Sequence, residues 1–156
     1  HRHASRGLDH GAWVPLMVMY PDASVPVIQV SLPSQDPYAL FRLGQALRAV
    51  RQEGVLVLAS GFFTHGLAFL TPQMFHDNVV PSWSSEFDDW ASGALAVRDV
   101  DMLASFASGA APGMPYAHPT VEHFTPLFVA LGASDGPPVT GVGGFAYGLS
   151  RRSVQG

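Results

Sequence analysis

The stretch from Val25 to Ala59 constrains the fold more than any other part of this chain. Val25 to Leu32 (Val-Pro-Val-Ile-Gln-Val-Ser-Leu) is rich in β-branched residues and follows a Pro21-Asp22 turn, so it reads as a buried strand. Asp36 followed by Pro37 is an N-cap with proline at the first helical position, Leu40, Leu43, Leu47 and Val50 then line one face, and Gly54 closes the helix. Val55 to Ala59 (Val-Leu-Val-Leu-Ala) is a second short apolar strand. Two strands joined through a helix run parallel, with a right-handed connection. The expected class is therefore α/β, with a mostly parallel central sheet flanked by helices.

The rest of the chain supplies helices. Trp13, Leu16, Met17 and Tyr20 recur at helical spacing, with Asp9 placed to cap and Pro21 to stop. The alternative there is an irregular loop, because Pro15 is tolerated only in a first turn. Ser82 to Leu95 puts Phe87, Trp90 and Ala94 on one side, where aromatic residues are core rather than a stacking platform, and Met102 to Phe106 reads as another short helix. Gly109 to Pro115 is a loop by composition. Pro119 opens a helix that runs to Leu131, ends at Gly132 and is kinked by Pro126. Gly141 to Leu149 is glycine-rich and reads as a last strand beside a ligand or another backbone.

A chain of 156 residues reads as one domain spanning 1–156, large enough to fold without staples. With 47% apolar and only 13% charged residues it has little with which to cover its exterior, so a large face is expected to be covered by a partner chain or a missing domain. Homo-oligomer formation is left open. Every apolar run is broken by Pro, Gly or a charge before spanning length, so no membrane is expected. A net charge of -4 without a Lys/Arg cluster argues against nucleic acid. Without cysteine, a metal site must use His, Asp or Glu. No basic-then-apolar signal opens the chain, which makes the cytoplasm the default, and the start at His1 rather than Met marks residues 1–6 as a processed or flexible beginning.

The histidines are the candidate functional residues, since imidazole both binds metals and moves protons near neutral pH. His65 follows the second strand between Gly61 and Gly66, at the carboxyl end where α/β sheets collect ligands. From its pattern alone His123 reads first as a helix-surface residue, paired with Glu122 or solvated, and His118, five residues earlier, as a helix cap. His10 stands beside Asp9, which either caps the turn or orients the ring by a hydrogen bond. His76 reads as surface. His1 and His3 form either an amino-terminal copper chelate or a cleavage scar.

Four ordered blocks carry a family likeness: Gly7-Leu8-Asp9-His10-Gly11-Ala12-Trp13 continuing through Met19-Tyr20-Pro21 to Val25-Pro26-Val27; Glu53-Gly54-Val55-Leu56-Val57 with Ser60-Gly61 and Thr64-His65; Phe87-Asp88-Asp89-Trp90; and His118-Pro119 with Glu122-His123-Phe124 and Pro126-Leu127. In order and spacing these resemble the C-terminal half of the class III extradiol dioxygenases of the LigB superfamily, nearest to its 4,5-DOPA dioxygenase branch, over Gly7 to Ala133. The resemblance implies a mononuclear nonhaem metal, Fe(II) or alternatively Zn(II), with His123 as a ligand. It implies His65 as the acid/base beside the metal and a further ligand, and His10 as a catalytic residue lining the same pocket. The substrates implied are dioxygen and a catechol such as DOPA. The family's first half, with two more histidine ligands, is absent, so the expected enzyme needs an N-terminal half present as a separate chain or lost as a fragment. The rival reading is a non-catalytic ligand- or partner-binding module that kept the fold without a complete metal site.

Overall fold

A computed structural model describes residues 5–156; His1 and His3, and with them the copper reading, lie outside the described residues. The chain divides at Leu32/Pro33 into two compact units. In the first, α1 (His10–Met19) forms across Pro15, forgoing the backbone hydrogen bond that a proline cannot donate, and buries none of its ten residues. Asp9 precedes it but does neither thing its position suggests. Its carboxylate accepts from Arg6 Nη2 at 2.8 Å and Gln29 Nε2 at 2.9 Å, and bonds neither the helix amides nor the His10 ring.

In the second unit α2 (Pro37–Gln52) begins as its sequence dictates, with the Asp36 carboxylate accepting from the Tyr38 and Ala39 amides. It is followed by α3 (Pro72–Asp77), α4 (Ser82–Ala96), α5 (Val100–Ala104) and α6 (Pro126–Ala133). α2 and α6 meet backbone to backbone: a Cβ on Gly44 would lie 2.1 Å from the Val129 carbonyl oxygen, and one on Gly132 2.0 Å from that of Phe41. The core is strongly aromatic, with Phe87, Phe106, Phe124 and Phe128 fully buried.

Two expectations about the helices change. Pro126 opens α6 instead of kinking a longer helix from Pro119, because at the first helical position its missing N–H breaks no bond. Gly132 does not end α6, which continues through Ala133; its last carbonyls accept from Arg48, Arg51 and Arg98 guanidinium groups.

The expected parallel sheet is not what the described residues form. Their strands are β1 (Val139–Val142), β2 (Phe145–Ala146), β3 (Leu149–Ser150) and β4 (Ser153–Gln155), paired antiparallel as β1 with β4 and β2 with β3. A two-residue turn at Tyr147 and Gly148, both at positive φ, closes the β2–β3 hairpin. Val25 to Leu32 and Val55 to Ala59 carry no ladder. A β-branched run favours strand geometry, but a ladder needs a neighbour, and a parallel strand needs both faces covered. Here Ile28 is 89% and Leu56 62% exposed.

Candidate functional site

His65 and His123 lie 58 positions apart in sequence, yet their rings stack with centroids 3.5 Å apart and planes 10° from parallel. Two approaches of backbone make this possible. The Phe62 N–H donates to the His123 carbonyl at 2.8 Å, and the His65 N–H to the Ala117 carbonyl at 2.7 Å. Glycine is required on both sides of His65: a Cβ on Gly61 would sit 2.2 Å from the His123 carbonyl oxygen, and one on Gly66 2.4 Å from that of Tyr116 and 2.6 Å from the Trp83 ring.

The segment leading into His65 is braced from beneath by buried polar groups. Thr64 Oγ1 shares a 3.0 Å hydrogen bond with Ser84 Oγ and accepts from the Ser150 amide at 2.7 Å. The Ser150 hydroxyl donates to Asp88, whose carboxylate also takes a two-pronged contact from Arg152, Nε at 2.7 Å and Nη2 at 2.5 Å. Arg152 in turn lies over the Phe63 ring. None of Ser84, Ser150 or Arg152 stands out in the sequence, and Thr64 does so only as the neighbour of His65. Asp88 does: with Ser84, Ala91 and Leu95 it follows the helical repeat that faces the core, and a carboxylate on such a stripe needs a cation.

His118 is not a helix cap, since α6 starts only at Pro126. Its ring is 1% exposed, packed against Phe87, Phe124 and Phe106, and its Nε2–H donates to the Phe63 carbonyl at 2.9 Å. Burial pushes its pKa down to about 4, outweighing the opposing effect of that hydrogen bond. It is a neutral imidazole at neutral pH.

Burial, and then the adjacent His123 ring, also lower the pKa of His65, with a smaller opposing pull from Glu122. Two imidazolium rings stacked this closely would repel, which is how the His123 ring contributes to the lowering at His65. His123 Nδ1 is buried without a hydrogen-bond partner, although Glu122 Oε1 lies 3.3 Å away at an angle that makes none. Thr120 Oγ1 donates to that same carboxylate oxygen at 2.6 Å and, more than any other contact, holds the Glu122 pKa down. A cavity of about 100 Å³ opens beside His123, walled by Gly61, Phe62, Phe63, Pro126 and Arg152. His76 is exposed, as its sequence context suggests, and His10 is an exposed residue at the start of α1 in the first unit.

Fit to a metal is partial. Among the described residues no group of three or more His, Asp and Glu side chains gathers to hold an ion. An ion lies near the plane of any imidazole that binds it. With two nearly parallel planes stacked at 3.5 Å, an ion in the plane of one ring stands well out of the plane of the other.

Residues 2–148 match the family described as the catalytic LigB subunit of aromatic ring-opening dioxygenase, and the chain belongs to that family. Among its relatives is the 4,5-DOPA dioxygenase extradiol of Beta vulgaris, 45% identical over 130 residues that cover 83% of this chain and 47% of the relative. The Escherichia coli K12 protein of the same name is 36% identical across 96% of this chain and 56% of its own length. A crystal structure of an uncharacterised Escherichia coli K12 protein superposes with a TM-score of 0.82 at 31% identity, over 98% of this chain and 64% of the other. The chain thus spans about half the length of the curated relatives it matches.

Proposed function

We propose that this chain forms the C-terminal half of an extradiol dioxygenase that opens the ring of a catechol such as DOPA with dioxygen. The observation that carries the reading is the stacked His65–His123 pair, brought together from distant parts of the chain beside a cavity. The relatives' names supply the reaction class and the family supplies the expectation of a metal. Fe(II), with Zn(II) as the alternative, would bind His123. The remaining ligands would come from an N-terminal half, as a second chain or a lost fragment. Two observations support a missing half: the described residues hold no three-ligand set, and Val55, Leu56 and Leu58 are about half exposed.

In the overall reaction the carbon–carbon bond beside the diol breaks and both oxygen atoms of dioxygen enter the product. The metal would hold the diol oxygens and dioxygen together. His65, neutral at neutral pH, accepts the proton of one catechol hydroxyl on a ring nitrogen and returns it to the opening ring. His123 beside it disfavours a lasting imidazolium, so the proton leaves readily. His65 as a further ligand, and His10 as a second catalytic group, belong to the same proposal; the parallel stack favours one ring ligating while the other moves protons, and the family resemblance assigns ligation to His123.

The absence of a three-ligand set among the described residues also favours one rival, a binding module that uses the cavity without chemistry. Denaturing intact-mass spectrometry followed by oxygen uptake with DOPA and Fe(II) separates the two. A second chain together with oxygen uptake that His65→Gln abolishes is expected. A single 16.6 kDa species without uptake would leave the module reading.

A further inference from the structure

The sequence from Phe62 to His65 is fastened at every step, and one of its fasteners is a side chain whose presence packing alone does not account for. His118 fills a slot between Phe87, Phe106 and Phe124, with ring centroids 4.9, 6.2 and 5.2 Å away. A methionine or leucine would fill such a slot without polar atoms. The imidazole instead leaves Nδ1 buried with no partner, an unfavourable arrangement unless the other nitrogen compensates. That other nitrogen, Nε2, donates to the Phe63 carbonyl at 2.9 Å. One residue back, the Ala117 carbonyl accepts the His65 N–H at 2.7 Å. Residues 117 and 118 therefore grip the chain on both sides of Thr64, immediately before the His65 ring that stacks on His123.

We propose that His118 is a positioning residue: its Nε2–H, held by the three phenylalanine rings behind it, grips the Phe63 carbonyl and so sets the placement of the His65 imidazole against His123. His118 does not reach the cavity that His123 lines and touches no reacting atom. Its catalytic consequence rests on the reading of His65 as the proton carrier; its effect on His65 placement does not.

The test compares His118→Met, which fills the slot without a donor, with His118→Gln, whose amide nitrogen can reach the Phe63 carbonyl. His118→Asn has a donor too short to reach it and serves if the methionine variant fails to fold. Hydrogen exchange at the His65 amide and the His65 ring resonances are followed by NMR in the protein without metal. The expected result is at least a tenfold loss of His65 amide protection and shifted His65 ring signals in the Met or Asn variant, with α2 amides unchanged and Gln restoring both. Unchanged His65 signals in the Met and Asn variants would overturn the proposal. So would an equal loss across α2 and His65 that Gln fails to repair, since that is simple destabilisation. Where ring cleavage is measurable, kcat should fall on the order of 10²-fold with KM little changed, as for a misplaced reacting group. If the unsubstituted protein opens no ring, the functional reading fails while the exchange result still decides the positioning role.

Discussion

Acid should destabilise this protein through one buried ring. His118 is neutral in the fold with a pKa of about 4, against 6.5 for an unhindered histidine. Between those values the unfolded chain binds a proton that the folded chain excludes, so stability rises with pH there. The contribution is fully present above about pH 6.5, falls as the pH drops, and is exhausted near pH 4. At about 1.4 kcal/mol per pKa unit the whole span is worth on the order of 3 kcal/mol, and about 2 kcal/mol is gone by pH 5. That is a substantial part of the roughly 5–15 kcal/mol that stabilises an ordinary domain. Urea unfolding of the protein and of His118→Met at pH 7.5, 6.5, 5.5 and 4.5 isolates the effect, because carboxylates and the other histidines contribute to both and cancel in the difference. The methionine variant should gain on the parent by about 2 kcal/mol between pH 7.5 and pH 5. Parallel stability profiles would refute the reasoning, for they would mean that the His118 ring accepts a proton as easily folded as unfolded.

Four further outcomes follow from the packing. Gly61→Ala should lower thermal stability by about 1–3 kcal/mol, because its Cβ meets the His123 carbonyl at 2.2 Å, whereas Gly93→Ala on the open face of α4 should raise it by up to about 1 kcal/mol; a calorimetric Tm for each settles the sign. Asp88→Ala leaves the Arg152 guanidinium, 19% exposed, without its carboxylate and should cost about 3 kcal/mol by chemical denaturation. Arg98→Lys should cost about 2 kcal/mol, since one ammonium cannot reproduce a fork whose Nη2 donates to the Leu131 and Ser134 carbonyls at 2.7 and 2.8 Å while its Nη1 donates to the Ser134 hydroxyl at 3.1 Å, and an unchanged urea midpoint would show that α6 needs no such cap.

The helices were legible wherever a local signal suffices. The Asp36-Pro37 start of α2 and the aromatic stripe of α4 appear where the sequence puts them, because capping and helical periodicity act within a few residues. Pro126 is ambiguous in sequence: a proline is equally consistent with a kink and a start, and only the absence of helix immediately before Thr125 decides between them. The expected strands form no ladder among the described residues for a different reason. Val55 to Ala59 has strand composition, but pairing is made between segments, and no described segment lies in ladder with it.

The site shows the same division. Its histidines could be nominated from the sequence, because that choice follows from residue chemistry, whereas the need for glycine on either side of His65 comes from the distant His123 and Tyr116 carbonyls that a Cβ would strike. That His65 and His123 face each other at 3.5 Å, that His118 reaches the Phe63 carbonyl, and that Arg152 closes on Asp88 were decided by tertiary structure alone. Short-range propensities act over a turn of helix or a pair of residues. Stacking, burial and hydrogen bonding between Phe62 and His123, or between Asp88 and Arg152, depend on where distant backbone comes to rest, and only the packed core determines that.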